Sequence, residues 1–137
     1  MRTLVERLFI LDGKQPMRVK TERQWSEWMF DRRDRHVAET TIGEVWISTV
    51  FLGLDHNYHD IGEPILFETM CFVDGESADT LMFARYCTWE DAEAGHAAAV
   101  AVVRAMHDIG ETRADQLMNR LRGQSARLRT EPPEPKT

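Results

Sequence analysis

The sequence predicts an α+β fold, in which an antiparallel β-sheet meander with a short early helix is packed by a long helix and followed by an amphipathic C-terminal helix. Apolar residues alternate in several segments before residue 88, a pattern typical of half-buried strands. After that residue the apolar spacing becomes helical. Short turns containing glycine separate the strand segments, which favours antiparallel pairing because parallel strands need long crossover connections.

Length and composition fit one domain. The chain has 137 residues, of which 42% are hydrophobic, and this is enough for a single core. We assign the domain to residues 1–129. The final segment, TEPPEPKT, contains three prolines and no apolar anchor, which predicts a disordered tail over 130–137.

The acidic composition limits the classes of partner. A net charge of −6 and a pI near 5.3 argue against nucleic acid as a partner. No apolar run approaches the ~20 residues that span a bilayer, and Glu6 and Arg7 interrupt the opening apolar stretch, so we expect neither a membrane protein nor a signal peptide. Cys71 and Cys87 lie in apolar or aromatic stretches, which favours reduced thiols in the cytoplasm.

The first elements are predicted as a hairpin and a helix. Thr3–Leu11 and Met17–Lys20 have strand character and flank a turn at Asp12–Pro16. Thr21 with Gln24 three positions later forms a capping-box pattern. The helix that follows has an apolar stripe at helical spacing, and we expect this stripe in the core: Trp25, Trp28 and Met29.

Four further strands are predicted around short turns. They cover Val37–Ile42, Glu44–Leu54, Pro64–Val73 and Thr80–Cys87. The second of them is apolar on both faces, which is typical of a strand in the middle of a sheet.

Two helices are predicted after the sheet. Thr88 caps a long helix that Gly110 ends, and Thr112 caps another. The long helix has one clear apolar stripe: Trp89, Ala92, His96, Ala99, Val103 and Met106. A second, alanine-rich side indicates more than one neighbour for this helix. The last helix has a thin apolar stripe that suits self-association, so we expect a homo-oligomer: Ala114, Leu117, Leu121 and Leu128.

The segment FLGLDHNYHDIGEP raises the question of a metal site. It contains two histidines and three carboxylates: Asp55, His56, His59, Asp60 and Glu63. These types ligate zinc, manganese or iron, yet the spacing of the histidines does not fix a geometry. In the alternative, Asp55 and Asn57 bond to nearby backbone amides and the segment is a polar loop or the rim of a binding site. We rank the polar loop first, the rim second and the metal site third.

Three more residues are candidates for binding. His96 follows Gly95 on the apolar stripe, so it is either a hydrogen-bonded core histidine or a group in a cleft. Glu68 lies inside an apolar strand and needs a partner, for which Arg85, His56 and His96 are candidates. Arg85 forms either a salt bridge with Glu68 or a site for an anion. Serine hydrolase chemistry is excluded because no nucleophile-elbow motif is present.

The blocks ISTVFLGLDHNY, FETM and RYCTWEDAEAGHAAAV resemble a family of small uncharacterised proteins of tailed bacteriophages and prophages. The resemblance covers the middle of the chain, from about Val45 to Val100. It implies a phage or prophage origin and an accessory role, and it implies no activity or catalytic residues.

These observations lead to one expectation and two alternatives. We expect an accessory binding protein without catalytic activity or cofactor, which acts in the host bacterial cytoplasm. It would inhibit host defence by binding a host protein or sequestering a small anionic or nucleotide signal. The predicted ligand-binding residues are Asp55, His56, Asn57, His59, Asp60, Glu68, Arg85 and His96. The alternatives are a small metal-dependent hydrolase or nuclease that uses the His56 and His59 loop, and an oligomeric virion or assembly component.

Overall fold

A computed structural model describes residues 1–32, 34–59, 61–73, 79–108 and 122–123. It contains two helices and two antiparallel sheets, which confirms the α+β class. A 3₁₀ turn at Val5–Arg7 precedes them. The elements are β1 (Phe9–Asp12), β2 (Gln15–Arg18), α1 (Glu22–Asp31), β3 (His36–Ile42), β4 (Val45–Phe51), β5 (Phe67–Val73), β6 (Asp79–Tyr86) and α2 (Trp89–Asp108).

The four longer strands form the predicted meander. Their order is β3-β4-β5-β6, and every neighbouring pair is antiparallel. Gly43 makes the β3–β4 turn with a φ of 56°, in the left-handed region that glycine adopts without steric cost. β4 lies inside the sheet, as its two apolar faces predict.

The first hairpin differs from the prediction in the start of its first strand and in the length of its turn. Residues 5–7 form a 3₁₀ turn rather than a strand, because the amide of Arg7 bonds to the carbonyl of Leu4 at 2.9 Å. The hairpin turn is also shorter than predicted. Asp12 pairs directly with Gln15, so Gly13 and a single following residue make the turn.

The early helix begins where the capping pattern predicts. The Thr21 hydroxyl accepts from the Gln24 amide at 3.1 Å, and the Gln24 side chain accepts from the Lys20 amide at 2.8 Å. Trp28 packs edge-on against Phe51 with centroids 5.7 Å apart. The aromatic stripe of α1 therefore joins the core through the end of β4.

One side of α2 covers the sheet, as predicted. Its buried residues lie on the predicted stripe: Ala92, His96, Ala99 and Val103. They pack on alternate residues of the central strands, such as Ile47 and Cys71. The predicted second apolar side is mostly exposed within the described residues, because no described element packs against Ala94, Ala98 and Ala101. The predicted C-terminal helix from Thr112 and the tail over 130–137 lie outside the described residues, apart from 122–123.

Close approach of α2 to β6 depends on Gly95. A methyl group at this position would collide with the ring and hydroxyl of Tyr86. Tyr86 is half-buried beneath the helix, so its ring has little room to move. The glycine thus sets the distance between the helix and the sheet.

We expect Gly95→Ala to lower the free energy of unfolding by about 2 kcal/mol, as overpacked core substitutions do. In a Tyr86→Ala background the collision is gone, and Gly95→Ala should instead stabilise the protein because alanine is the better helix former. Urea denaturation of the four proteins measures both effects, and Glu93→Ala on the exposed side of α2 is the control. The same destabilisation in both backgrounds would contradict a steric role for Tyr86.

Candidate functional site

The predicted binding residues do not form one site. The structure separates them into the β4–β5 loop (residues 52–66), an ion pair on the sheet, and a hydrogen-bonded network under α2. Asp60 lies outside the described residues. The three places differ in what they can do chemically.

Asp55 holds the β4–β5 loop from inside. Its side chain is 0% exposed. One carboxylate oxygen accepts from the backbone amides of Asn57 at 2.7 Å and Ile65 at 2.9 Å, while the other lies 3.1 Å from Arg2 Nη1. Three protein donors contact this buried carboxylate, so it supports the loop from inside.

Asn57 completes this internal support. Its amide nitrogen donates to the carbonyls of Ile61 at 2.8 Å and Glu63 at 3.0 Å, and its side-chain oxygen accepts from the His59 amide at 3.2 Å. His56 Nδ1 donates to the Leu54 carbonyl at 2.7 Å. The polar-loop interpretation therefore describes this segment well. No group of three or more potential metal ligands converges among the residues that the structure places.

The outer side of the same loop exposes apolar groups. Tyr58 is 64% exposed and Ile61 is 82% exposed, and the His59 side chain is exposed beside them. The guanidinium of Arg7 lies 5.6 Å from the centre of the Tyr58 ring. A loop whose backbone is hydrogen-bonded from inside thus presents an aromatic and an aliphatic side chain to solvent.

Glu68 and Arg85 form the expected ion pair. Arg85 Nε lies 2.8 Å from a carboxylate oxygen of Glu68. The two residues are directly opposite each other on β5 and β6, so both point to the face of the sheet away from α2. Tyr86 contacts α2 on the other face, so the neighbouring residues Arg85 and Tyr86 point to opposite faces of the sheet, as the sequence predicts.

His96 is a hydrogen-bonded core histidine. Its Nδ1 lies 2.8 Å from the Thr49 hydroxyl and its Nε2 lies 2.9 Å from the Thr40 hydroxyl. Thr49 in turn lies 2.6 Å from the Thr69 hydroxyl, to which Tyr86 donates at 3.0 Å. Donation that runs from Tyr86 through Thr69 and Thr49 to His96 Nδ1 leaves the imidazole proton on Nε2, which donates it to the Thr40 hydroxyl oxygen. Burial lowers the pKa of His96, so the neutral form is favoured.

A serine, a histidine and an aspartate meet on the other face of the sheet, which the sequence did not predict. His36 Nδ1 lies 2.9 Å from Asp34 and its Nε2 lies 3.0 Å from the Ser48 hydroxyl. The backbone and side-chain hydrogen bonds from His36 lower the pKa of Asp34. Ser48 is only 4% exposed and lies mid-strand between two paired neighbours, whereas a nucleophile needs contact with its substrate and donors aimed at the oxyanion. The order of contacts resembles a catalytic triad, but the setting does not support nucleophilic attack.

A cavity of about 220 Å³ lies where the first hairpin meets the start of α2. Its lining includes Lys14, Glu63, Cys87 and Trp89. Burial, with help from Glu63, raises the pKa of the Cys87 thiol, so this thiol is a poor nucleophile. Cys71 is buried and its pKa is raised to about 11, and both cysteines are free thiols. The residues that line the cavity are distant in sequence, and no sequence motif predicts it.

No protein-family model matches the chain, and no curated protein or solved structure is significantly similar to it. Within the described ranges, no helix is both long enough and apolar enough to cross a membrane.

The neutral state of His96 predicts a loss of stability in acid. In the unfolded chain a histidine takes up a proton near pH 6.5, while burial holds the native pKa lower. The unfolded state thus binds more protons below about pH 6.5, and the free energy of unfolding should fall as the pH drops from there towards the native pKa. Urea denaturation between pH 8 and pH 5 should show a steeper fall in the native protein than in His96→Gln. His59→Gln, which alters an exposed histidine, should follow the native curve; a His96→Gln curve parallel to the native one would contradict the assignment.

Replacing Asp55 should lower the free energy of unfolding more than replacing Arg2, with which it forms an ion pair. Asp55→Ala leaves two backbone amides of the β4–β5 loop without an acceptor, and we expect it to cost about 3 kcal/mol. Arg2→Ala removes only a partly exposed ion pair and should cost about 1 kcal/mol or less. Urea denaturation gives the two costs, and hydrogen exchange of the Asn57 and Ile65 amides reports loop opening. Equal costs would mean that the ion pair, and not amide acceptance, holds the loop.

Proposed function

We propose that this chain is a non-enzymatic binding protein whose β4–β5 loop recognises a protein partner. The observation that carries the proposal is the division of that loop into two sides. The side chains of Asp55 and Asn57 form hydrogen bonds with the loop backbone. The side chains of Tyr58 and Ile61 are exposed to solvent.

A loop with internal hydrogen bonds and outward aromatic and aliphatic groups suits protein recognition. Binding costs less conformational entropy when the loop is already in its bound shape. Tyrosine is enriched among the residues that dominate interface energies. The loop backbone is fixed at both ends as well, because the Asp55 amide donates to the Arg7 carbonyl at 2.8 Å and the His56 amide donates to the Ile65 carbonyl at 2.9 Å.

A protein partner agrees better with the charges than a small anion does. Of the cations predicted or found near the candidate residues, Arg85 is paired with Glu68 and Arg2 with Asp55. The arginines of the predicted last helix, which were the other expected source of positive charge, lie outside the described residues except for Arg122. The carboxylates that raise the pKa of Cys87 add negative potential near the loop.

The hydrolase alternative gains no comparable support. Asp55 is occupied by protein donors, and His56 bonds to a backbone carbonyl through Nδ1. Glu68 and His96 point away from the loop, to Arg85 and to the threonine network. These residues therefore lack the shared focus that a metal-activated water needs.

The sequence resemblance supplies the setting of the proposal. A phage or prophage accessory protein meets host proteins in the host bacterial cytoplasm, and a protein that inhibits host defence would act there. Self-association of the chain belongs to the same proposal and would present more than one loop to the partner.

The test places a photo-crosslinking amino acid, benzoylphenylalanine, at Tyr58 in cells of the bacterium that carries the gene. We expect a discrete crosslinked species of one host protein, because Tyr58 would lie in the interface. The control carries the same amino acid at Phe30, which is 76% exposed on α1. Mass spectrometry identifies the partner, and calorimetry with the purified partner should show about a tenfold or greater loss of affinity for Tyr58→Ala.

Two results would contradict the proposed function. One is the absence of any discrete crosslink at Tyr58. The other is the same set of crosslinks at Tyr58 and Phe30, which would indicate contacts by chance rather than recognition by the loop.

A further inference from the structure

The face of the sheet opposite α2, hereafter the open face, has an aromatic and aliphatic centre. Trp46 is 38% exposed, and its ring stacks on Phe72 with centroids 4.8 Å apart. Val50 and Met70 lie on the same face at alternate positions of β4 and β5. The apolar contacts of both described helices lie on the other face. An apolar patch of this kind usually marks an interaction surface.

Opposite charges flank this centre. Glu39 is exposed on the edge strand β3, where one of its carboxylate oxygens lies 3.3 Å from His36 Nε2. Arg85 is exposed on the edge strand β6, beside Glu68. Arg85 uses Nε for Glu68, and its terminal guanidinium nitrogens have no hydrogen-bond partner among the residues that the structure describes. The open face therefore has Glu39 with His36 at one edge, the apolar centre, and Arg85 with Glu68 towards the other edge.

We propose that the open face is an interface with a second copy of this chain, related by a two-fold axis that runs along the strands between β4 and β5. This inference rests on the self-association included in the proposed function and assigns its surface. The axis places β3 opposite the partner's β6 and β4 opposite the partner's β5. Trp46 then packs on the partner's Phe72, and Glu39 approaches the partner's Arg85, twice in each dimer because a two-fold interface is isologous.

The register of the sheet permits this charge pairing. Glu39 lies opposite Ser48, and Arg85 is in the row of Val50 and Glu68. The two rows are two residues apart on β4, which is about 7 Å along a strand. Two long side chains can bridge that offset.

The charges also select this axis over the other one that a face-to-face dimer allows. A two-fold axis across the strands would place β3 opposite the partner's β3 and β6 opposite the partner's β6. Glu39 and the partner's Arg85 would then lie at opposite edges of the dimer and could not pair. Only the axis along the strands pairs acid with base.

The size of the face sets the expected strength. Four strands about 4.8 Å apart, each rising roughly 3.3 Å per residue over seven residues, cover roughly 14 by 23 Å. Stable interfaces bury about 800 Å² on each partner, and the open face is smaller. The dimer should therefore dissociate on dilution.

The proposed axis has a consequence for the β4–β5 loop. Rotation about an axis along the strands keeps the ends of the strands at the same level, so both loops lie at one end of the dimer. Two Tyr58 side chains then face the same direction, which allows bivalent binding to a partner with two matching sites.

Sedimentation equilibrium of the full chain tests the proposal. The concentrations should span about a hundredfold range and include the high dissociation constant that is expected of a small interface. We expect a monomer–dimer equilibrium. Trp46→Glu should raise the dissociation constant about thirtyfold or more, as the loss of a central anchor does. Glu39→Lys should raise it about tenfold, with the larger effect at low salt.

The controls separate this proposal from loop recognition. Phe30→Glu changes an exposed aromatic residue on α1, and Tyr58→Ala changes the loop; both should leave the dimer intact. A chain that is monomeric at every concentration would overturn the proposal, as would a dimer that Trp46→Glu and Glu39→Lys do not weaken. If circular dichroism shows that Trp46→Glu does not fold, the dissociation constant of Glu39→Lys, which changes an exposed side chain, tests the proposal by itself. A crosslink at Tyr58 in the monomeric variant would uphold loop recognition independently.

Discussion

The hydrogen-bonded chain that runs from Tyr86 through Thr69, Thr49 and His96 to Thr40 is the constraint on which the packing of the fold depends. The apolar residues that α2 buries are mostly small, with Ala92 and Ala99 among them. Small side chains give burial but little shape specificity. A shift of the helix by one residue would separate His96 from Thr40 and Thr49, although Thr49 would keep Thr69. An unsatisfied His96 side chain would cost about 1–3 kcal/mol. The polar chain thus fixes the register of the helix on the sheet.

The sequence predicted elements whose determinants are local. Thr21 and Gln24 lie three residues apart, and the cap that they form begins α1 as expected. The two apolar faces of β4 correctly predicted an interior strand. The first strand was predicted too early, because an apolar pattern over Thr3–Leu11 does not distinguish a strand from a 3₁₀ turn that leads into one. Burial of only one side of α2 depends on tertiary neighbours, and the composition of the helix cannot identify those.

The same distinction holds for the candidate site. Asp55 and Asn57 bond mainly within their own loop, so their side-chain types were enough to predict backbone acceptance. The pairing of Glu68 with Arg85 was one of the named alternatives, and the antiparallel register of β5 and β6 selects it. The contact of Arg2 with Asp55 joins residues 53 positions apart, and the meeting of His36 with Ser48 depends on the exact register of β3. No local pattern encodes such contacts.

Both faces of the sheet combine polar and apolar groups. The face beneath α2 contains the connected hydroxyl and imidazole groups, and these are stable there only because each has a partner. The open face has the stacked rings of Trp46 and Phe72, and exposure of such rings to water is unfavourable. Removing these rings from water therefore requires a surface that the described part of the chain does not provide. The acid on one edge strand and the base on the other make the face complementary to itself, and this is why a second copy fits it better than an arbitrary partner.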